Sequence, residues 1–182
     1  MVRGRLERGE SRTLVVSPEQ LASLDLRGVD GAVGVTTAYL TPFDPASVEP
    51  DPEVSLSRSY PAQSDDAVTL REGALVRITL RWKLGKKTVD GCYQVSDLLP
   101  SGLKPVSRLF EQGIRDTTVS YPYLIEGQRV SFCVSRGEPN RPIVYYARVV
   151  GTGTYNVEPA VIQSQRANES MNVTGSMEAE IR

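Results

Sequence analysis

Ala74 to Leu84, ALVRITLRWKL, constrains the fold more than any other stretch of this chain. Val76, Ile78, Leu80, Trp82 and Leu84 share one parity, while Arg77, Thr79, Arg81 and Lys83 hold the other. A strand sends alternate side chains to opposite faces, so this spacing makes one apolar face and one wet face. A helix would scatter the same residues around its axis. The spacing predicts a half-buried antiparallel strand with four polar groups turned to water.

Weaker copies of the pattern recur. RTLVV (Arg12 to Val16), GAVGVTTAYL (Gly31 to Leu40) and VSLSRSY (Val54 to Tyr60) come before it. CYQVSDLL (Cys92 to Leu99), TTVSY (Thr117 to Tyr121), RVSFCV (Arg129 to Val134), IVYYARVV (Ile143 to Val150) and GTYNV (Gly153 to Val157) follow. Clusters of Gly, Pro, Asp and Asn separate them. Many short strands with such punctuation predict an all-β fold, an antiparallel β-sandwich of immunoglobulin-like type. With 182 residues the chain is long enough to bury a real core. Thr41 to Glu53, TPFDPASVEPDPE, carries four prolines and four acids and reads as an extended linker. It divides the chain softly into residues 1–52 and 53–182.

One stretch departs from the strand pattern. In LLPSGLKPVSRLFEQG, Pro105 suits the first turn of a helix, where its missing N–H is no loss. Val106, Leu109 and Phe110 fall on one stripe, and Gly113 suits the left-handed closing conformation. The spacing predicts one short crossover helix near 104–112, about two turns long and dependent on a sheet for support.

Composition narrows the function. There is no histidine, which excludes Ser-His-Asp triads, Cys-His dyads and histidine metal ligands. Two cysteines, Cys92 and Cys133, are too few for a cysteine zinc cluster. A net charge of −1 gives no bulk attraction to nucleic acid or to an anionic membrane. The basic start, with Arg3, Arg5, Arg8 and Arg12, reads as a solvated arm. MVRGRLERGE lacks the apolar core of a secretory signal, and no apolar run approaches the roughly 20 residues of a membrane span. The expectation is a protein without catalysis, cofactor or metal, which works by contact.

Four stretches carry a family resemblance. GCYQVSDLLPSGL, LKPVSRLFE, EGQRVSFCVS and YYARVVGTGTYNVEPAVIQSQ, with the Met171 region after it, resemble in order the C-terminal, receptor-binding-type domain of the alpha-2-macroglobulins, bacterial members included. The resemblance covers roughly Glu53 to Arg182. The first fifty residues resemble the strands that return from the thioester domain of such a protein and complete a neighbouring CUB-like β-domain. The resemblance implies the last module of a long exported protease inhibitor, extracytoplasmic, with an export signal elsewhere. It implies contact with other domains of the parent, notably the thioester domain, and indirectly with a target protease. It implies neither nucleic-acid binding nor membrane insertion. An adhesin or stalk domain of the bacterial envelope is the competing reading. A carbohydrate-binding module is a weaker one, because Trp82 shares the apolar parity.

GCYQ does not make a thioester, since no glutamate precedes Gln94 and strand alternation denies Cys92 the turn required. Cys92 and Cys133 both fall on the less apolar face of their strands, where strand adjacency would allow a disulfide; two separate thiols are the other reading. Lys104 and Arg108, four apart, would stack on one face of the expected helix. In animal members basic residues there engage a receptor, although Arg108 replaces the usual lysine; a solvated basic edge is the plainer account. Asn168-Glu-Ser and Asn172-Val-Thr match the glycosylation pattern. Asp65-Asp66 and the Asp51/Glu53 pair read as turn chemistry rather than calcium ligands.

Overall fold

The computed structural model describes residues 5, 7–37, 44–61, 63–64 and 67–182. Arg3, the Ala38–Leu40 end of the second expected strand, the Thr41–Phe43 start of the linker and Asp65-Asp66 lie outside the described residues. The chain separates into two compact units, Met1–Pro42 and Phe43–Arg182.

In the first unit, α1 (Pro18–Ala22) is the one regular element among the described residues. Ser17 caps it: its hydroxyl accepts the Gln20 N–H at 3.3 Å, and its own N–H donates to Gln20 Oε1 at 2.9 Å. Pro18 opens the helix, where no donor is lost. The strand expected at Arg12–Val16 is absent, and Gly31–Thr37 is irregular as well. The reason is visible in burial. Leu14, Val15, Leu21, Leu24, Leu26, Val29, Val33 and Val35 are all exposed, Val15 at 98%. An isolated strand without a partner leaves its backbone groups to water and forms no ladder.

The second unit holds thirteen strands among its described residues: β1 (Val54–Ser59), β2 (Gln63–Ser64), β3 (Ala67–Leu70), β4 (Leu75–Leu84), β5 (Tyr93–Leu98), β6 (Leu103–Pro105), β7 (Leu124–Glu126), β8 (Arg129–Val134), β9 (Ile143–Val149), β10 (Gly153–Val157), β11 (Val161–Ser164), β12 (Met171–Val173) and β13 (Met177–Ile181). A front sheet runs β1-β4-β9-β6 and a back sheet β12-β11-β5-β8-β7, both antiparallel. A side sheet runs β10-β13-β3-β2, in which β13 and β3 are parallel. Val76, Ile78, Leu80, Trp82 and Leu84 of β4, Tyr145 and Ala147 of β9, and Tyr93, Val95, Val130, Phe132 and Ile162 of the back sheet share one core. Val68, Leu70, Val157, Ala179 and Ile181 join it from the side sheet. The rings of Phe132 and Tyr145 meet across the two layers at 5.6 Å, within the range for a favourable aromatic pair. The fold is the expected all-β sandwich.

Two details differ from expectation. Thr79 is buried although it lies on the outward face of β4, because Arg77 folds over it and donates to its hydroxyl at 2.9 Å. The crossover helix shrinks to one 3-10 turn, Phe110–Gln112. Leu103 to Pro105 instead pair with β9 as an edge strand, a position that tolerates a proline without a ladder N–H. Leu109 is buried while Phe110 is 75% exposed, so the supposed stripe does not face the core as a unit. Two turns cannot stand without such a face. Gly113 does close the turn in the left-handed conformation, at φ 73°. No helix among the described residues is long and apolar enough to cross a membrane.

Candidate functional site

Between β6 and β7 the chain makes a strap, residues 106–123, that passes from the front sheet to the back sheet. It begins and ends on backbone bonds. Val106 N–H donates to Tyr146 O at 2.9 Å, Ser120 N–H to Val144 O at 2.7 Å, and Tyr123 N–H to Ser131 O at 3.0 Å. Ser120 therefore continues the edge of β9, although the TTVSY stretch forms no regular strand.

Asp116 pins the middle. One carboxylate oxygen accepts the Thr118 N–H at 2.9 Å and the Thr118 hydroxyl at 2.6 Å. The other accepts the Tyr146 hydroxyl at 2.9 Å and Arg77 Nε at 3.2 Å. These bonds, the Thr118 hydroxyl foremost, hold the Asp116 carboxyl far below the usual carboxylate range. A depressed carboxyl contributes its stabilisation in full above the unfolded value of about 4 and loses it as the pH falls below that. The strap should stay fastened at neutral pH and loosen only in strong acid. Asp116→Asn is expected to speed amide exchange in 114–121 at pH 7 while β4 and β9 stay protected, read by peptide-resolved hydrogen exchange.

The strap carries exposed aromatic surface. Tyr121 is 78% exposed and Tyr123 is 54% exposed. Together with Trp82, Phe132, Pro139 and Pro142 they line an open groove of about 580 Å³ at the end of the sandwich. Trp82 is nonetheless core, and its indole N–H donates to Arg141 O at 2.9 Å. Large aromatic side chains left wet beside a groove are what contact surfaces use.

Between the layers lies a buried ion pair that joins them. Arg58 of β1 donates from Nη1 to Asp97 Oδ1 of β5 at 2.5 Å, and neither side chain is accessible. The Tyr145 hydroxyl donates to Asp97 Oδ2 at 2.7 Å. Burial, then the Asp97 charge, pushes the Tyr145 phenol well above its ordinary value. Burial, the largest single influence, depresses the Arg58 guanidinium; the Asp97 charge and hydrogen bond, together with Tyr60 and Tyr145, outweigh it, and the net shift is upward. Arg58 Nε and Nη2 and the Tyr60 hydroxyl have no hydrogen-bond partner among the described residues. The sequence carried a signal that went unread: Arg58 shares the inward parity of Val54, Leu56 and Tyr60, and Asp97 that of Tyr93 and Val95. A charge at an apolar parity needs a partner, and these two have each other.

The residues singled out from sequence fall as follows. Cys92 and Cys133 come together across β5 and β8 as a disulfide, with Cα atoms 5.5 Å apart and Cys133 exposed. Lys104 and Arg108 do not share a helical face: Lys104 sits on β6 opposite Arg148, and Arg108 lies in the strap, ion-paired to Glu111 at 3.2 Å. The strand conformation of 103–105 separates them. Asn172 Nδ2 donates to Val54 O at 2.6 Å, so that amide ties β12 to β1. Asn168 is exposed. Asp51 receives the Glu53 N–H at 2.9 Å and the Ser170 hydroxyl at 2.6 Å, which is turn chemistry extended to a tie with the chain before β12.

Solved structures of alpha-2-macroglobulins share this fold over three-quarters of the chain. A structure of native alpha-2-macroglobulin from Escherichia coli, spanning domain MG7 to the C-terminus, matches 75% of this chain at 21% identity and a TM-score of 0.54. Escherichia coli alpha-2-macroglobulin activated by porcine elastase matches 75% at 24% identity and a TM-score of 0.52. A Salmonella alpha-2-macroglobulin matches 75% at 22% identity and a TM-score of 0.52. The chain spans 25%, 14% and 10% of those chains, respectively. No protein-family pattern and no curated protein sequence matches it.

Proposed function

We propose that this chain is the C-terminal module of a bacterial alpha-2-macroglobulin-like protease inhibitor. It acts without catalysis, outside the cytoplasm, by touching the thioester domain of its parent. The observation that carries this reading is the likeness of fold over three-quarters of the chain to proteins several times longer. Two features support it. The described residues of the first unit bury no large apolar side chain, which fits a segment, residues 1–52, that folds only by completing a neighbouring CUB-like domain. The strap presents Tyr121 and Tyr123 as a ready contact surface, with Lys104 on β6 and Arg108 in the strap as further contacts. A surface that binds the uncleaved state better than the cleaved state would bias the parent's conformational change.

The test uses the protein that carries this sequence in its source cell. An antibody against the chain should detect a product far larger than 20 kDa. Hydrogen exchange of residues 119–125 in that product should be slow before elastase treatment and fast after it. A product of 20 kDa alone, or exchange indifferent to protease, would refute the reading. Tandem sandwich domains in the larger product would instead favour an adhesin stalk.

A further inference from the structure

The outward face of the front sheet has two halves. One half is covered: Arg77, Val144 and Tyr146 are bonded by Asp116, Thr118 and Ser120 of the strap, and Arg77 in turn lies over Thr79. The other half is open. There Arg81 and Lys83 of β4 stand opposite Ser57 and Ser55 of β1, and all four are exposed. From the geometry of this open half we infer a docking surface for an extended acidic polypeptide segment of another protein.

The charge on this half is unanswered from within the molecule. Among the described residues, Arg81, Lys83 and the neighbouring Lys86 and Lys87 make no ion pair, whereas Arg77, Arg129, Arg136 and Arg182 each do. β1, β4 and β9 carry no Asp or Glu at all. Glu53, just before β1, accepts the Lys87 backbone N–H at 3.2 Å and makes no ion pair with these cations. The hydroxyls of Ser55 and Ser57 make no hydrogen bond among the described residues, which leaves two donors between two cations.

Spacing selects the ligand. Arg81 and Lys83 lie two residues apart on one strand, so their side chains leave the sheet roughly 7 Å apart. Carboxylates at alternate positions of an extended chain repeat at the same distance. Each can meet one cation and one serine hydroxyl, and a charge-assisted bond of this kind outweighs a neutral one. A net charge of −1 offers no general attraction to a polyanionic surface, so a matched spacing is what distinguishes this face from a solvated one. The inference stands independently of the inhibitor reading.

The experiment titrates the whole chain with two labelled ten-residue peptides, one alternating Glu and Thr, the other with five Glu followed by five Thr. Fluorescence anisotropy reads affinity, and amide shift mapping locates the contact. The alternating peptide is expected to bind at least tenfold more tightly, to shift β1 and β4, and to weaken as salt rises. R81Q/K83Q should remove the difference while leaving the thermal unfolding curve in place. Absence of binding, equal affinity for both peptides, or shifts away from β1 and β4 would overturn the proposal. So would equal binding of phosphatidylglycerol vesicles or duplex DNA at matched charge, or concentration-dependent self-association abolished by R81Q/K83Q, which would make the occupant a second copy.

Discussion

Asp97→Ala is expected to cost about 3–5 kcal/mol of stability, a large share of the roughly 5–15 kcal/mol that holds a domain together. The cost does not come from the lost attraction alone. Arg58 is left charged and inaccessible, with Nε and Nη2 already without partners and Nη1 now joining them. Tyr145 loses the acceptor of its hydroxyl in the same step. Water cannot reach any of these groups without parting the layers. The contrast is the triple change Arg58→Met, Asp97→Leu, Tyr145→Phe, which removes both charges and the Tyr145 donor at once and leaves only the Tyr60 hydroxyl. It is expected to be neutral or stabilising by about 1–4 kcal/mol, since two desolvation penalties disappear with the pair. Urea unfolding curves for the wild type, the single variant and the triple variant check both statements. A single variant within about 1 kcal/mol of wild type would mean that the pair is hydrated in solution.

The same pair illustrates what the sequence could and could not deliver. Parity along VSLSRSY and CYQVSDLL is enough to put Arg58 and Asp97 on inward faces, because a period of two is a local property of any strand. That β1 and β5 sit in opposite layers, with these two residues face to face, is a matter of topology that no local pattern encodes. The helix expectation failed for a related reason. Pro105, the Val106–Leu109–Phe110 spacing and Gly113 are sound local signals, yet β9 offered Leu103–Pro105 a ladder, and a tertiary partner outweighs a two-turn propensity. The converse holds for Arg12–Val16 and Gly31–Thr37, whose strand-like patterns stay irregular for want of any partner. Meanwhile Ser17-Pro18-Glu19-Gln20, a capping box in plain sight, forms its short helix with local bonds alone. The strap was not legible as one span: its residues read as a short helix near 104–112 followed by a strand, TTVSY. Its fastening by Asp116 depends on Tyr146 and Arg77, distant in sequence, and its exposed tyrosines looked like further strand residues.

Replacing Cys92 and Cys133 by serine is expected to lower stability by up to about 4 kcal/mol, the chain-entropy value for a closed loop of this size. The loop spans a sequence separation of 41 residues and contains Asp97, β6, the strap and most of β8. In the unfolded chain the bridge would hold those ends together and remove much of their freedom, whereas in the folded state β5 and β8 are already paired over Tyr93–Leu98 and Arg129–Val134. The bridge therefore acts chiefly on the unfolded ensemble, and the native ladder should survive its loss. Three measurements follow from this. Thiol titration of the unreduced, denatured chain should find no reactive thiol. Reduction of the folded protein should leave its far-ultraviolet spectrum in place, because the ladder does not need the bond, while the urea midpoint falls. A second cut, at Asp116→Asn, should add nearly independently to the loss, since the Asp116 contacts form in the folded state and the bridge acts in the unfolded one. Two reactive thiols in the oxidised, denatured chain would remove the bridge from this account, and with it one physical argument for an exported setting.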